Sequence, residues 1–368
     1  MLSNVYSPFP LKIRSAHGIR IETDSGEYLD TFAGIGVLAF GHTDRKTVDA
    51  VTSKVQRFSH TSNYFLDEDA ISLSKFILDF SNSEGEVYFA NSGTEATEAA
   101  IKAVRRLKKG KLISFEGNFH GRTMGALSLT YSERLRKPFE PLLPDVRFIP
   151  KSVQDFEKAV LSEEIAAVFV EVIQGNSGVH LYPPELLQAI EKLRKERGFL
   201  LVADEIQSGL CRTGEYFGYQ NYAIEPDIII LGKAVGGGLP LGAAVFRGVS
   251  PFYPGDHGST FAPNPVSLAA GLSVLSRMDS ALLESVRICG AHLKENLERL
   301  PWAREVRGMG LMIGVSTENP ERIKSLAFER KVLLNVTAGS IRFLPALNIT
   351  EEEIDEITER LDFGGLND

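Results

Sequence analysis

Three short segments of this 368-residue chain carry residues whose types and order could do chemistry together. Asp227-Ile228-Ile229-Ile230-Leu231-Gly232-Lys233 ends an apolar run on a lysine. Desolvation disfavours an ammonium and lowers its pKa towards neutrality, and a neutral amine is the nucleophile that adds to an aldehyde. Gly236, Gly237 and Gly238 follow and let the backbone pass close to a ligand. Phe199-Leu200-Leu201-Val202-Ala203 leads into Asp204-Glu205-Ile206-Gln207, which sets a carboxylate at the carboxyl end of a strand, where α/β sheets bind ligands. Ser92, Gly93 and Thr94 lie between a strand-like run and a helix, where free N–H groups and the helix dipole favour a phosphate. Each segment also has a plainer reading: a surface lysine at a strand exit, a carboxylate capping the next element, N-capping by Ser92 or Thr94. A magnesium–nucleotide reading of Asp204 needs a Gly-x-x-x-x-Gly-Lys-Ser/Thr loop, and the chain has none.

Taken in chain order, a phosphate seat, a strand-end carboxylate and a strand-end lysine suit pyridoxal 5′-phosphate. Gly93 and Thr94 would anchor the phosphate. Asp204 would keep the ring nitrogen protonated, and Lys233 would hold the aldehyde and move the substrate proton.

The elements that must position these residues alternate strand and helix. Candidate strands are Glu86–Ala90, Leu112–Phe115, Val146–Ile149, Ala166–Ile173, Phe199–Ala203, Asp227–Leu231 and Gly242–Phe246. Several are apolar almost throughout, as strands covered on both faces are. Ala99, Ala100, Ala103, Val104 and Leu107 form a helical stripe, and a second helix is expected over Glu185–Arg197. The alternation predicts an α/β fold with a mostly parallel central sheet. Beyond about residue 255 come a helical region, Pro265–Leu300, and short strand-like runs at Leu311–Val315, Val332–Val336 and Ser340–Leu344. A capping box, Thr350 with Glu353, opens a final helix. The expected organisation is an N-terminal segment (1–45) with a strand pair, His17–Ile21 and Glu27–Phe32, then a large cofactor-binding domain (46–255) and a smaller α+β domain (256–368).

The 40 Lys and Arg against 48 Asp and Glu leave a net charge of −8, a poor match to nucleic acid or an anionic membrane. Cys211 and Cys289 make neither a disulfide framework nor a metal spacing, and the seven histidines are scattered, so no metal site is expected. No signal-peptide pattern opens the chain and no apolar run reaches the ~18 residues of a membrane span. The expectation is a cytoplasmic protein.

Asn91-Ser92-Gly93-Thr94-Glu95-Ala96, Asn118-Phe119-His120-Gly121-Arg122-Thr123, Asp204-Glu205-Ile206-Gln207-Ser208-Gly209, Arg212-Thr213-Gly214, Leu231-Gly232-Lys233 and His257-Gly258-Ser259-Thr260-Phe261 resemble class III aminotransferases. Within that class the Phe119–Ser128 segment and Val336-Thr337-Ala338-Gly339 with Ile341-Arg342-Phe343-Leu344-Pro345 are most similar to acetylornithine aminotransferases. The resemblance implies a fold-type I pyridoxal-phosphate transferase and transfer of a terminal amine from N2-acetylornithine to 2-oxoglutarate. It further implies Phe119 on the pyridine ring, Gln207 at the cofactor's 3-oxygen, Arg122 on a substrate carboxylate and Arg342 on the α-carboxylate of glutamate or 2-oxoglutarate. Tyr6 and Glu171 would complete the substrate side. Ser259 and Thr260 would reach in from the partner subunit of a homodimer.

Two positions depart from the family pattern. Asn176 follows Gln174-Gly175 where a Glu is usual, which would leave Arg342 unmasked for carboxylates. Phe261-Ala262-Pro263-Asn264-Pro265 replaces Phe-Gly-Gly-Asn-Pro. Ile35 stands where ornithine aminotransferases have a tyrosine, an apolar wall that suits an acylated α-amine. Alternatives are an N-acyl-lysine, ornithine or 4-aminobutyrate donor, an aminomutase of the same fold, or a non-catalytic binding protein.

Overall fold

The computed structural model describes Ser3 and residues 5–364. All seven candidate strands of the middle region enter one sheet, in the order Gly85–Ala90, Gly242–Arg247, Ile228–Leu231, Leu200–Asp204, Ile165–Val170, Lys111–Phe115, Val146–Ile149. Six run parallel to one another, and Gly242–Arg247 is antiparallel to both neighbours. The reversal follows from chain length. Only residues 232–241 connect it to the preceding strand, too few for the crossover that a parallel partner demands. Ile228, Ile229, Ile230 and Leu231 are fully buried, as a strand covered on both faces requires.

The helices between the strands read well from pattern. Gly93–Leu107 buries Ala96, Ala99, Ala100, Ala103 and Val104, and Ser92 caps it by accepting the Glu95 N–H. Pro184–Arg197 ends on Gly198 in the left-handed conformation. Among the described residues four helices of ten or more residues went unanticipated: Arg45–Arg57, Glu68–Phe80, Val153–Ser162 and Pro320–Glu329. Each carries an Asp, Ser or Asn N-cap that was a usable signal.

Three expectations are corrected. The run expected at Ala166–Ile173 leaves the sheet at Val170, and Ile173–Gln174 pairs instead with His180–Leu181. Gly18, at φ +55°, turns the chain inside the expected His17–Ile21 strand, so the segment forms three strands, Ile13–His17, Arg20–Thr23 and Gly26–Asp30. The Val332–Val336 run divides. Val332–Leu333 joins Gly26–Asp30 in parallel, and Asn335–Thr337 pairs with Ser340–Phe343 in a second four-stranded sheet. The helical region after Pro265 breaks between Leu275 and Ser280, where Asp279 caps the second helix. Among the described residues no single helix is long and apolar enough to cross a membrane.

Candidate active site

Parallel strands deliver their carboxyl ends to one edge of a sheet, and here that edge collects the residues singled out above. Ala90 ends one strand, and Ser92, Gly93 and Thr94 follow at the start of the Gly93–Leu107 helix. The N–H groups of Gly93 and Thr94 have no acceptor among the described residues. Asp204 ends another strand and Lys233 follows Leu231 at the end of a third. Close packing builds the edge. A Cβ on Gly93 would lie 2.6 Å from Ile206 Cδ1, and one on Gly242 would lie 2.2 Å from the Ser92 carbonyl oxygen. Backbone contact requires glycine at 242, and a side chain at 93 would force Ile206 to move.

The Asp204 carboxylate is buried. His120 Nδ1 lies 2.7 Å from Oδ2, and the Ile206 N–H donates to Oδ1 at 3.1 Å. The network around Asn118 sets the imidazole tautomer. Asn118 Oδ1 accepts from Gln174 Nε2 (2.7 Å) and the Tyr182 hydroxyl (2.6 Å), which turns its amide nitrogen towards His120 Nε2 at 3.1 Å. Nε2 therefore accepts, and Nδ1 donates its proton to Asp204. A hydrogen bond to the charged form of a carboxylate favours that form.

Lys233 sits at φ +50°, in the left-handed region that costs a side-chain-bearing residue roughly 1–3 kcal/mol and that clusters at functional sites. Its ε-amine makes no hydrogen bond or ion pair among the described residues. Burial pushes it down to about 8, with Asp204 and Glu171 opposing and the Arg342 guanidinium adding to the shift. Glu171, also buried, accepts the Phe119 N–H at 2.6 Å, and burial raises its carboxyl to about 7. Next to Asp204, the buried Glu205 accepts from the Ser208 hydroxyl (2.8 Å), the Gly218 N–H (2.8 Å) and the Tyr219 N–H (2.7 Å). Burial likewise raises it to about 7.

The other expected residues divide. Thr94 Oγ1 accepts the backbone N–H groups of Arg122 (3.2 Å) and Thr123 (3.3 Å), tying the helix start to the Phe119–Thr123 loop. Phe119 is half-buried, and the exposed Arg122 guanidinium stands 5.6 Å from its ring centroid without an ion pair. Gln207 Oε1 accepts from Arg342 Nη1 at 3.2 Å, so these two meet. Arg342 has no carboxylate in ion-pair contact; neutral oxygens of Asn335, Gly175 and Gln207 hold it. Ser259 accepts from its own chain's Asn91 Nδ2 at 3.1 Å, while Thr260 is exposed. Tyr6 is 83% exposed and makes no hydrogen bond, so the structure does not bring it to the edge. The sequence reading gave no role to His120, Asn118 or Glu205. The alternation of Asn118 and His120 about Phe119 was the available signal, since alternate residues of an extended segment face one side.

These features fit pyridoxal 5′-phosphate: free N–H groups at a helix start, a buried carboxylate held by His120 and the Ile206 N–H, and an unpartnered, partly neutral amine. The family model for class III aminotransferases matches residues 1–363. The acetylornithine aminotransferase of Caldanaerobacter subterraneus is 39% identical over 98% of this chain and 96% of its own. That of Aquifex aeolicus is 40% identical over 96% of each. The ornithine aminotransferase structure from Toxoplasma gondii superposes with a TM-score of 0.92 at 31% identity, covering 98% of this chain and 91% of that one. The chain belongs to the class III aminotransferases, pyridoxal-phosphate enzymes of fold-type I.

Proposed function

We propose that this class III aminotransferase moves the terminal amino group of N2-acetyl-L-ornithine to 2-oxoglutarate, giving N-acetyl-L-glutamate 5-semialdehyde and L-glutamate, as a step of arginine synthesis. One observation carries the substrate class. Two arginines without a carboxylate partner, Arg122 over Phe119 and Arg342 against Gln207, adjoin residues of the edge that bears Lys233. Paired cations of this kind suit one substrate with a carboxylate at its far end and one with two carboxylates. The name shared by the bacterial relatives supports the acylated donor. So does Ile35, 37% exposed on the left-handed turn at Ala33–Gly36, which offers a methyl surface and no hydroxyl. An effect of that size is worth about 1–3 kcal/mol between competing donors.

In this reading Ser92, Gly93, Thr94 and Thr260 hold the cofactor phosphate, Phe119 covers the ring, Gln207 faces the 3-oxygen and Asp204 pairs with the ring nitrogen. When bound, pyridoxal phosphate supplies an electron sink for the carbon that loses its proton. Lys233 would hold the cofactor's aldehyde, and its Nζ would take the proton from the substrate's amine-bearing carbon, a task suited to an amine titrating near 8. His120 holds the Asp204 carboxylate in place through its Nδ1. Arg122 clamps the carboxylate of the acylated donor, Arg342 that of 2-oxoglutarate, and Glu171 shapes the floor between them. The working form is a cytoplasmic homodimer that shares its sites, with Ser259 and Thr260 presented across the interface. Tyr64, Phe65, Leu66 and Phe261 support this, being 94, 71, 92 and 62% exposed in one chain. Tyr6, equally exposed, would meet the substrate only in that assembly.

The test is kcat/KM for N-acetylornithine, ornithine, N-acetyllysine and 4-aminobutyrate with 2-oxoglutarate. N-acetylornithine should lead. A lead for free ornithine, or turnover without an oxo-acid, would transfer the assignment to a different donor or to an aminomutase. Light scattering of the holoenzyme should give twice the chain mass, and a monomer with full activity would remove the shared site.

A further inference from the structure

Arg342 is only 3% exposed, yet the oxygens that accept from its guanidinium are all neutral, and Glu171 acts on it only through space. Asn335 Oδ1 takes the Nε–H at 3.1 Å and an Nη2–H at 2.7 Å, occupying the side-on fork. Nη1 donates to the Gly175 carbonyl oxygen at 2.9 Å and to Gln207 Oε1 at 3.2 Å. Four of the five N–H donors are therefore used, without an ion pair.

The holders differ in their freedom to move. Asn335 and Arg342 are direct cross-strand partners in the hairpin of Asn335–Thr337 with Ser340–Phe343, so register fixes the asparagine. The hairpin is itself tied to the loop after Gln174, since the Thr337 hydroxyl donates to the Asn176 carbonyl oxygen at 2.7 Å. Gly175 contributes backbone. Gln207 contributes a flexible amide at the longest of the four distances, and it fits only because residue 175 has no Cβ, which would lie 1.9 Å from its Oε1.

We propose that Asn335 is a positioning residue that pins Arg342 side-on while leaving its charge unneutralised, so that a dicarboxylate's α-carboxylate docks end-on, on Nη1 and Nη2, where Gln207 yields. This rests on the reading of Arg342 as a carboxylate anchor. An aspartate at 335 would put an anion on the same fork with nearly the same shape, cancelling the charge that attracts the substrate. Alanine would release the fork but keep the charge.

The experiment measures glutarate, a non-reacting five-carbon dicarboxylate, binding to the holoenzyme by calorimetry, alongside KM and kcat. Asn335→Asp should weaken glutarate at least about tenfold and raise KM for 2-oxoglutarate in proportion, the scale of one charge-assisted contact, with kcat and the donor's KM within about twofold. Asn335→Ala should weaken glutarate by a smaller factor, roughly three- to fivefold. Arg342→Ala serves as the reference. If Arg342→Ala abolishes glutarate binding while Asn335→Asp and Asn335→Ala stay within twofold of the parent, the positioning role is wrong and the anchor stands. An alanine effect larger than the aspartate effect likewise overturns the charge argument. If Arg342→Ala itself binds glutarate normally, the anchor reading fails and takes the inference with it.

Discussion

Burial of Lys233 should be visible as a pH profile for capture of pyridoxal phosphate by the cofactor-free protein. Only the neutral amine adds to an aldehyde. Lowering the amine from 10.5 to about 8 multiplies its neutral fraction at pH 7 by roughly 300, since each pKa unit is a factor of ten. The capture rate, followed by stopped-flow absorbance, should climb about tenfold per pH unit below 8 and level off above it. Two substitutions bracket the cause. Asp204→Asn removes a negative charge that raises the amine, so the break should move down. Arg342→Met removes a positive charge that lowers it, so the break should move up. Burial is the largest cause and survives both changes, so neither should return the break to 10.5. A break at pH 10 or above, a flat profile, or both variants moving the same way would refute the reasoning.

Three further outcomes follow from the same geometry. Asp204→Asn should lower kcat by about 10²–10³, the scale for losing one preorganised charged group, and His120→Ala by a smaller factor because Asp204 keeps its Ile206 N–H donor. Steady-state rates at saturating substrates check the order. Arg122→Lys should raise KM for N-acetylornithine about ten- to a hundredfold with little change in kcat, because an ammonium cannot reproduce the planar fork; an unchanged KM removes the clamp. Glu205 titrates near 7 in the fold, above its ordinary 4.5, so the stability of its protonated form is full below pH 4.5 and lost as pH rises through 7. Glu205→Gln should flatten that part of the curve of Tm against pH by calorimetry, and a parallel curve would contradict the burial argument.

The central sheet was legible because its strands are buried on both faces and therefore continuously apolar. Phe199–Ala203 and Asp227–Leu231 needed no tertiary information to be found, and the acidic or basic residue after each run marked the ligand edge. The reversed direction of Gly242–Arg247 was readable too, from a connection too short for a crossover. What escaped was decided by long-range pairing. Val332–Val336 looks like one strand, but Val332–Leu333 pairs with Gly26–Asp30, more than 300 residues away in sequence, while Asn335–Thr337 folds back on Ser340–Phe343. The site divides the same way. Lys233, Asp204 and Gly93 announce themselves at strand ends. The support of Asp204 by His120 and Asn118 depends on Gln174 and Tyr182 orienting one amide, and the hold of Asn335 on Arg342 depends on hairpin register. Neither has a local signature.

The central claim, that Lys233 is the residue joined to the cofactor, is tested most directly by borohydride reduction of the holoenzyme followed by peptide mass spectrometry. The pyridoxyl group should be found on the peptide containing Lys233, and Lys233→Ala should leave the protein unlabelled. Lys151, whose amine burial also lowers and which donates to Gln174 at 2.5 Å, is the natural competitor. Label on Lys151, or undiminished labelling of the Lys233→Ala protein, would contradict the account.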